Sequence, residues 1–217
     1  MSTPGVPGSP RISAVLFDFG GVITDSPFEA FERYERDHGL PSGFIRTVNV
    51  TNHLDNAWAR LERNELGFEA FCDAFEAEAH AAGGRVDARD LFAMFSGELR
   101  PEMVEAVRRC KEHFKTGLLT NNFVTPLAQS RVSVLGEVLA LFDAVVESSV
   151  VGVRKPDARF YLLACEALAV TPGEAVFLDD LGVNLKPARA LGMHTIKVTD
   201  TSQALTELGE LLGIALR

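Results

Sequence analysis

The chain has 217 residues, enough for one α/β domain with an inserted subdomain and too few for two full-sized enzymes in tandem. With 47% hydrophobic and 24% charged residues it can bury a core, which excludes wholesale disorder. Its formal charge of −9, from 30 acidic against 21 basic residues, repels a phosphate backbone, so nucleic acid is not an expected partner.

Residues 1–10 are rich in Pro, Gly and Ser and carry no basic stretch leading into an apolar one, so they read as a disordered tail rather than a signal peptide. Ile12 to Phe17 is a short apolar run that ends at Asp18 and the pair Gly20 and Gly21, as a buried strand entering a tight turn would. From Pro27 to Leu99 the period turns helical: Phe28 with Phe31, and Phe68, Phe71, Cys72 and Phe75, recur at spacings of three and four, with Gly39 and Gly83 as stops. The spacing predicts a helical insertion whose aromatic residues, Trp58 and Phe44 among them, form a small core of their own.

After Pro101 the pattern alternates. It predicts helix Pro101 to Phe114, strand Thr116 to Leu119, helix Pro126 to Leu139 and strand Asp143 to Val146. Helix Asp157 to Leu168, strand Ala175 to Leu178, helix Asn184 to Leu191, strand Thr195 to Val198 and a last helix from Ser202 to Leu212 follow. Such alternation argues for a parallel sheet covered on both faces, and the first strand must join that sheet to find a ladder partner. The expected architecture is therefore α/β: a Rossmann-like, three-layer core from residues 11–25 and 99–217, with a helical cap over residues 26–98. No apolar run reaches the length of about twenty residues that a spanning helix needs, so no stable membrane insertion is expected.

In open parallel sheets the ligand lies beyond the carboxyl ends of the strands. The residues at those ends are Asp18, Thr120 with Asn121, and Asp179 with Asp180. Carboxylates gathered at one sheet edge repel each other unless a cation or proton lies between them, and a set of oxygen ligands suits magnesium. Lys155, just ahead of the helix leading to the Asp179 strand, can supply a counter-charge, and Thr120 and Asn121 neutral donors. A carboxylate nucleophile, a metal, a lysine and hydroxyl and amide donors together suit a tetrahedral anion and phosphoryl transfer.

The strings LFDFGGVIT, LLTNN, VRKPD and FLDDLGVNL stand in the order of the four motifs of the haloacid dehalogenase (HAD) superfamily, which the chain resembles over residues 11–217. The helical insertion after the first motif resembles that of the capped subfamily I. FLDDLGVNLKPARALGMHTIKV resembles the N-terminal phosphatase-like domain of soluble epoxide hydrolases and the HAD domain fused to some acyl-CoA dehydrogenases. No GxSxG elbow or GxGxxG run occurs, so neither partner activity is expected.

The resemblance implies a hydrolase acting on a small phosphorylated metabolite or a lipid phosphate, with Mg2+ as cofactor. It implies Asp18 as nucleophile and metal ligand, Thr120, Asn121 and Lys155 as phosphate holders, and Asp180 as direct metal ligand. Asp179 would bind the metal directly or through water, the Gly20 carbonyl would bind it too, and Asn184 would orient the loop. The departure is at Gly20, where the family's phosphatases usually carry a second aspartate as general acid and base. Loss of such a group slows turnover by about a hundredfold to ten-thousandfold. A slow phosphatase, an enzyme that uses another group, and a non-catalytic phospho-ligand or partner binder are the outcomes left open. A dehalogenase, which would use Asp18 on carbon without metal and carry an aromatic residue at position 20, is disfavoured by the paired Asp179 and Asp180.

Each residue also has a plainer reading. Asp18 alone would be a turn residue, Asp179 and Asp180 a helix N-terminal pair, Thr120 and Asn121 a cap, and Lys155 a solvated loop lysine. Four motifs in order outweigh these readings. His53, Asp55 and Asn56 are candidate substrate-facing groups in the insertion, whereas His38, His80, His113 and His194 lack metal-ligand spacing. Cys72, Cys110 and Cys165 form neither a CxxC nor an even-numbered framework, which fits a reducing, cytoplasmic setting. The sequence is silent on oligomeric state.

Overall fold

A computed structural model describes residues 11–123 and 132–216. Its centre is a five-stranded parallel sheet of β1 (Ala14–Phe17), β2 (Lys115–Thr120), β3 (Ala144–Glu147), β4 (Ala175–Asp179) and β5 (His194–Lys197), in the order β3-β2-β1-β4-β5. The strand β1 is central and buried on both faces, which is why AVLF is continuously apolar rather than alternating. Its side chains divide by parity. Val15 and Phe17 join one core with Leu118, Val176 and Leu178, while Ala14 and Leu16 join the other with Leu119, Ala175 and Phe177.

Helices close both faces. The first core is covered by α6 (Pro101–Lys111) through Met103, Ala106 and Val107, and by the C-terminal helix α11 (Thr201–Leu212) through Ala204, Leu205 and Leu208. The second is covered by α9 (Ala158–Leu168) through Phe160, Ala164 and Leu168, and by α10 (Gly182–Ala190) through Leu185 and Ala188. This is the three-layer α/β sandwich that the alternating pattern predicts. The helix expected from Pro126 is seen as α7 (Val132–Leu139), its earlier part lying outside the described residues, as do residues 1–10.

Between β1 and α6 lie α1 (Pro27–Asp37), α2 (Phe44–Val50), α3 (Ala57–Glu62), α4 (Phe68–Ala81) and α5 (Ala88–Ala93). Ser26 caps α1, its hydroxyl accepting from the Phe28 amide, with Pro27 as the first helical residue. Phe31, Trp58, Phe71, Phe75 and Phe92 form a separate apolar cluster against which Phe44 and Phe68 pack. The chain leaves and re-enters the core side by side. Asp25 N donates to Glu98 O at 2.9 Å and Arg100 N to Ile23 O at 2.8 Å, flanking an antiparallel bridge between Thr24 and Leu99.

The short helix α8 (Ser148–Val151) escaped the sequence pattern, because four residues are too few to show a period. Asn122 fixes it from outside. The Asn122 amide N–H donates to Ser148 Oγ at 3.0 Å, and Asn122 Oδ1 accepts from Ser149 N at 3.1 Å and Ser149 Oγ at 2.8 Å. No helix among the described residues is long and apolar enough to cross a membrane.

Candidate active site

Register brings the acids together. Phe17 pairs with Leu178 across adjacent parallel strands, so Asp18 and Asp179, one residue further on, emerge side by side at the carboxyl edge, where Asp18 N donates to Leu178 O at 2.9 Å. Ligand oxygens of Asp18, Asp179 and Asp180 lie within 4.8 Å of one another. Lys155 reaches between two of them, its Nζ 2.7 Å from Asp18 Oδ1 and 2.9 Å from Asp179 Oδ2. All of Asp18, Lys155 and Asp179 are buried.

The acids are not equivalent. Asp179 Oδ1 accepts from Leu181 N at 2.7 Å and Asn184 Nδ2 at 3.1 Å, and Oδ2 accepts from Lys155 and from Asn184 Nδ2 at 3.0 Å. Its acceptor capacity is thus filled by the protein. Asn184 is itself seated by Tyr161, whose hydroxyl donates to Asn184 O at 2.7 Å. Asp18 Oδ1 accepts from Phe19 N at 2.6 Å as well as from Lys155, which fixes the rotation of its carboxylate. Asp180 stands beside them, its carboxylate hydrogen-bonded by its own backbone N–H.

Charge in this cluster is unbalanced. Burial raises the Asp18 pKa; Lys155 offsets only part of that, and Asp179 adds to it. Burial also lifts Asp180 to about 6, with Asp179 contributing. Burial alone would lower the Lys155 pKa, but the adjacent Asp179 and Asp18 carboxylates outweigh it and hold the ammonium charged. Three carboxylates against one lysine leave room for a divalent cation, and a set of carboxylate oxygens is the donor chemistry that magnesium prefers.

The two glycines after Asp18 differ in kind. Gly21 has φ +79°, and a Cβ there would collide with the Asp180 carboxylate, so its lack of a side chain is a packing requirement. Gly20 has no such φ, and a Cβ would find Pro27 Cδ at 3.5 Å, an ordinary contact. Sterically, position 20 would accept a Cβ.

The donors expected from LLTNN have separate tasks. Thr120 is the last residue of β2, half-buried at the same edge. Asn121 grips the backbone of Lys155: its Oδ1 accepts from Lys155 N at 2.8 Å and its Nδ2 donates to Lys155 O at 3.1 Å. In the insertion, Asn56 is not substrate-facing. It is buried as the cap of α3, Oδ1 accepting from Ala59 N at 2.9 Å and Nδ2 donating to Asn49 O at 2.7 Å, because the first turn leaves amides that need an acceptor. His53 and Asp55 are exposed. His38 stacks on Tyr34, with centroids 3.8 Å apart, while His80 and His113 are exposed and His194 lies on β5.

Two residues that motif reading passed over meet at this site. Arg154 Nε lies 2.5 Å from Glu62 Oε2, and Arg154 donates to His53 O at 3.0 Å, joining the residue before Lys155 to α3 and the loop ahead of it. Glu62 alone looks like a surface acid on a short helix, and its partner is 92 residues away.

The family model for haloacid dehalogenase-like hydrolases matches residues 12–192. The chain is 35% identical over 215 residues to mouse acyl-CoA dehydrogenase family member 10, covering 96% of this chain and 20% of that protein. It is 34% identical over 219 residues to pig bifunctional epoxide hydrolase 2, covering 94% of this chain and 40% of that protein. The chain therefore spans well under half the length of these two relatives. A phosphatase of Mycobacterium tuberculosis is 30% identical over 227 residues, with 93% of this chain and 97% of that protein covered. A HAD-family enzyme of Bacteroides thetaiotaomicron, solved with magnesium and inorganic phosphate, shares the fold at a TM-score of 0.60 and 19% identity, over 88% of this chain and 98% of that one.

Proposed function

We propose, from the premise that this chain belongs to the haloacid dehalogenase-like hydrolase family, that it is a magnesium-dependent phosphatase acting on a small phosphate monoester. The observation that carries the reading is the Asp18–Lys155–Asp179 contact set with Asp180 alongside: a fixed carboxylate, a buried ammonium and surplus negative charge at one sheet edge. The full-length phosphatase relative and the neighbour solved with magnesium and phosphate support it.

In this reading Asp18 attacks phosphorus in line, forming an oxygen–phosphorus bond as the ester bond breaks; the departing oxygen takes its proton from solvent water, and a water molecule then hydrolyses the aspartyl phosphate, releasing inorganic phosphate and freeing Asp18. Lys155 holds the phosphoryl oxygens, Thr120 adds a hydroxyl, and Asn121 acts mainly by fixing Lys155. Asp18, Asp180 and the Gly20 carbonyl would hold Mg2+, with Asp179, whose oxygens are already engaged, reaching it through water. When bound, the ion neutralises charge on the phosphate oxygens. Asn184 orients Asp179.

Residues 26–98 would act as a cap that excludes water from the cleft, above a core of residues 11–25 and 99–217. The substrate class extends from small phosphorylated metabolites to lipid phosphates, and three free, buried cysteines fit a reducing, cytoplasmic setting.

Magnesium-dependent release of phosphate from an aryl phosphate, lost in Asp18→Asn, is the test, followed by a panel of phosphorylated metabolites. One observation favours a second reading: position 20 lacks the acid although a Cβ there would make only ordinary contacts. If magnesium and inorganic phosphate bind without turnover of any monoester, the chain is a phospho-ligand binder. Dehalogenation is disfavoured by the Asp179–Asp180 pair and is rejected if halide release is not seen.

A further inference from the structure

We infer that Glu62 is a positioning residue, which through Arg154 and Asn121 makes the seating of the helical insertion and the placement of Lys155 one event. The consequence for turnover rests on the phosphatase reading above; the mechanical coupling does not.

Lys155 is held by its neighbours on every side. Its ammonium meets Asp18 and Asp179, and its backbone N–H and C=O are both bonded to the Asn121 side chain. Glu62, the last residue of α3, contacts both supports of that arrangement. It pairs with Arg154, the residue immediately before Lys155, and interacts with the Asn121 amide. Arg154 spans the junction by also bonding His53 O.

This is no ordinary surface ion pair. The side chains are 14% and 21% exposed, so the pair is shielded at the place where insertion meets core. Exposed pairs contribute little, whereas removing one partner of a shielded pair strands the other charge. The charged groups that act most strongly on Glu62 are Arg154 and Lys155, both cationic and both core residues, while Arg63 of the insertion acts on it as well. Movement of α3 away from the core would separate Glu62 from both and leave Asn121 and Lys155 without that brace. The same junction has an apolar half: Phe123, two residues after Asn121, packs on Trp58 and Phe92 with ring centroids 6.0 and 5.1 Å away. Trp58 and Glu62 belong to the same helix, so both halves move together.

The test uses the full chain with E62A, R154A, E62A/R154A and the near-isosteric E62Q. Amide hydrogen exchange without any ligand should quicken at residues 119–123 and 152–156 in each single variant, because the Lys155 amide loses its fixed acceptor. With an aryl phosphate and Mg2+, kcat/KM should fall by up to about a hundredfold, the scale of a misplaced catalytic group. The double variant should be no worse than the poorer single one.

Unchanged exchange in those segments, losses that add in the double variant, or a lowered melting temperature with unchanged exchange and kcat/KM would each overturn the inference. E62Q keeps the assay valid if the alanine variants do not fold. Should the wild type release no phosphate, the phosphatase reading fails, and the exchange data alone decide whether the coupling stands.

Discussion

Gly21 and Asp180 occupy one space: the Asp180 carboxylate sits where a Cβ of residue 21 would be, and the Gly21 backbone has φ +79°. The first motif and the last are thereby fitted to each other by the absence of an atom. Gly21→Ala must relieve both the collision and the left-handed strain, and is expected to cost about 1–3 kcal/mol. It should also weaken magnesium binding by displacing Asp180. Gly20→Ala is the control and should stay within about 0.5 kcal/mol. Thermal melts and magnesium calorimetry on the two variants check this, and equal effects would refute the distinction.

Position 20 offers a gain of function. A Cβ there meets only Pro27 at ordinary distance, so Gly20→Asp should fold and restore a proton-transfer group near the leaving oxygen. Turnover of an aryl phosphate is expected to rise, by as much as about a hundredfold or more if proton transfer limits the rate. An unchanged rate would show that the absent acid is not the limitation.

Magnesium binding should depend on pH in a defined direction. The Asp180 pKa is raised from 3.8 to about 6, chiefly by burial, and only the ionised form ligates. Affinity measured by calorimetry should therefore fall as pH drops through about 6, by roughly tenfold per pH unit below it. Stability without metal runs the opposite way: the folded state binds the Asp180 proton more tightly than the unfolded one, so stability falls as pH rises from 3.8 towards about 6. Saturating magnesium should flatten that slope. A magnesium affinity independent of pH between 5 and 7 would remove Asp180 from the ligand set.

The adjacent asparagines should separate by mutation. Asn122 bonds Glu147, Ser148 and Ser149. Asn122→Ala should lower stability by about 1–3 kcal/mol, the scale for stranding buried polar partners, with little change in kcat/KM. Asn121→Ala frees the Lys155 backbone, so kcat/KM should fall more than stability does. Denaturant melts alongside aryl phosphate kinetics distinguish them.

Sequence alone determined the sheet, both helical layers, the separate aromatic cluster and the ends of the strands that carry Asp18, Thr120 and Asp179. These follow from periodicities of burial that one chain displays in order. It also marked Gly20 as the departure. Tertiary structure alone decided what the polar residues do to one another: that Asn121 grips Lys155, that Asn122 anchors α8, that Asn56 is a helix cap, and that both oxygens of Asp179 are engaged by Lys155, Leu181 and Asn184. It alone paired Glu62 with Arg154. The reason is physical. Apolar patterning repeats along the chain and reports which face is buried, but a hydrogen bond or an ion pair depends on where two distant segments place single atoms.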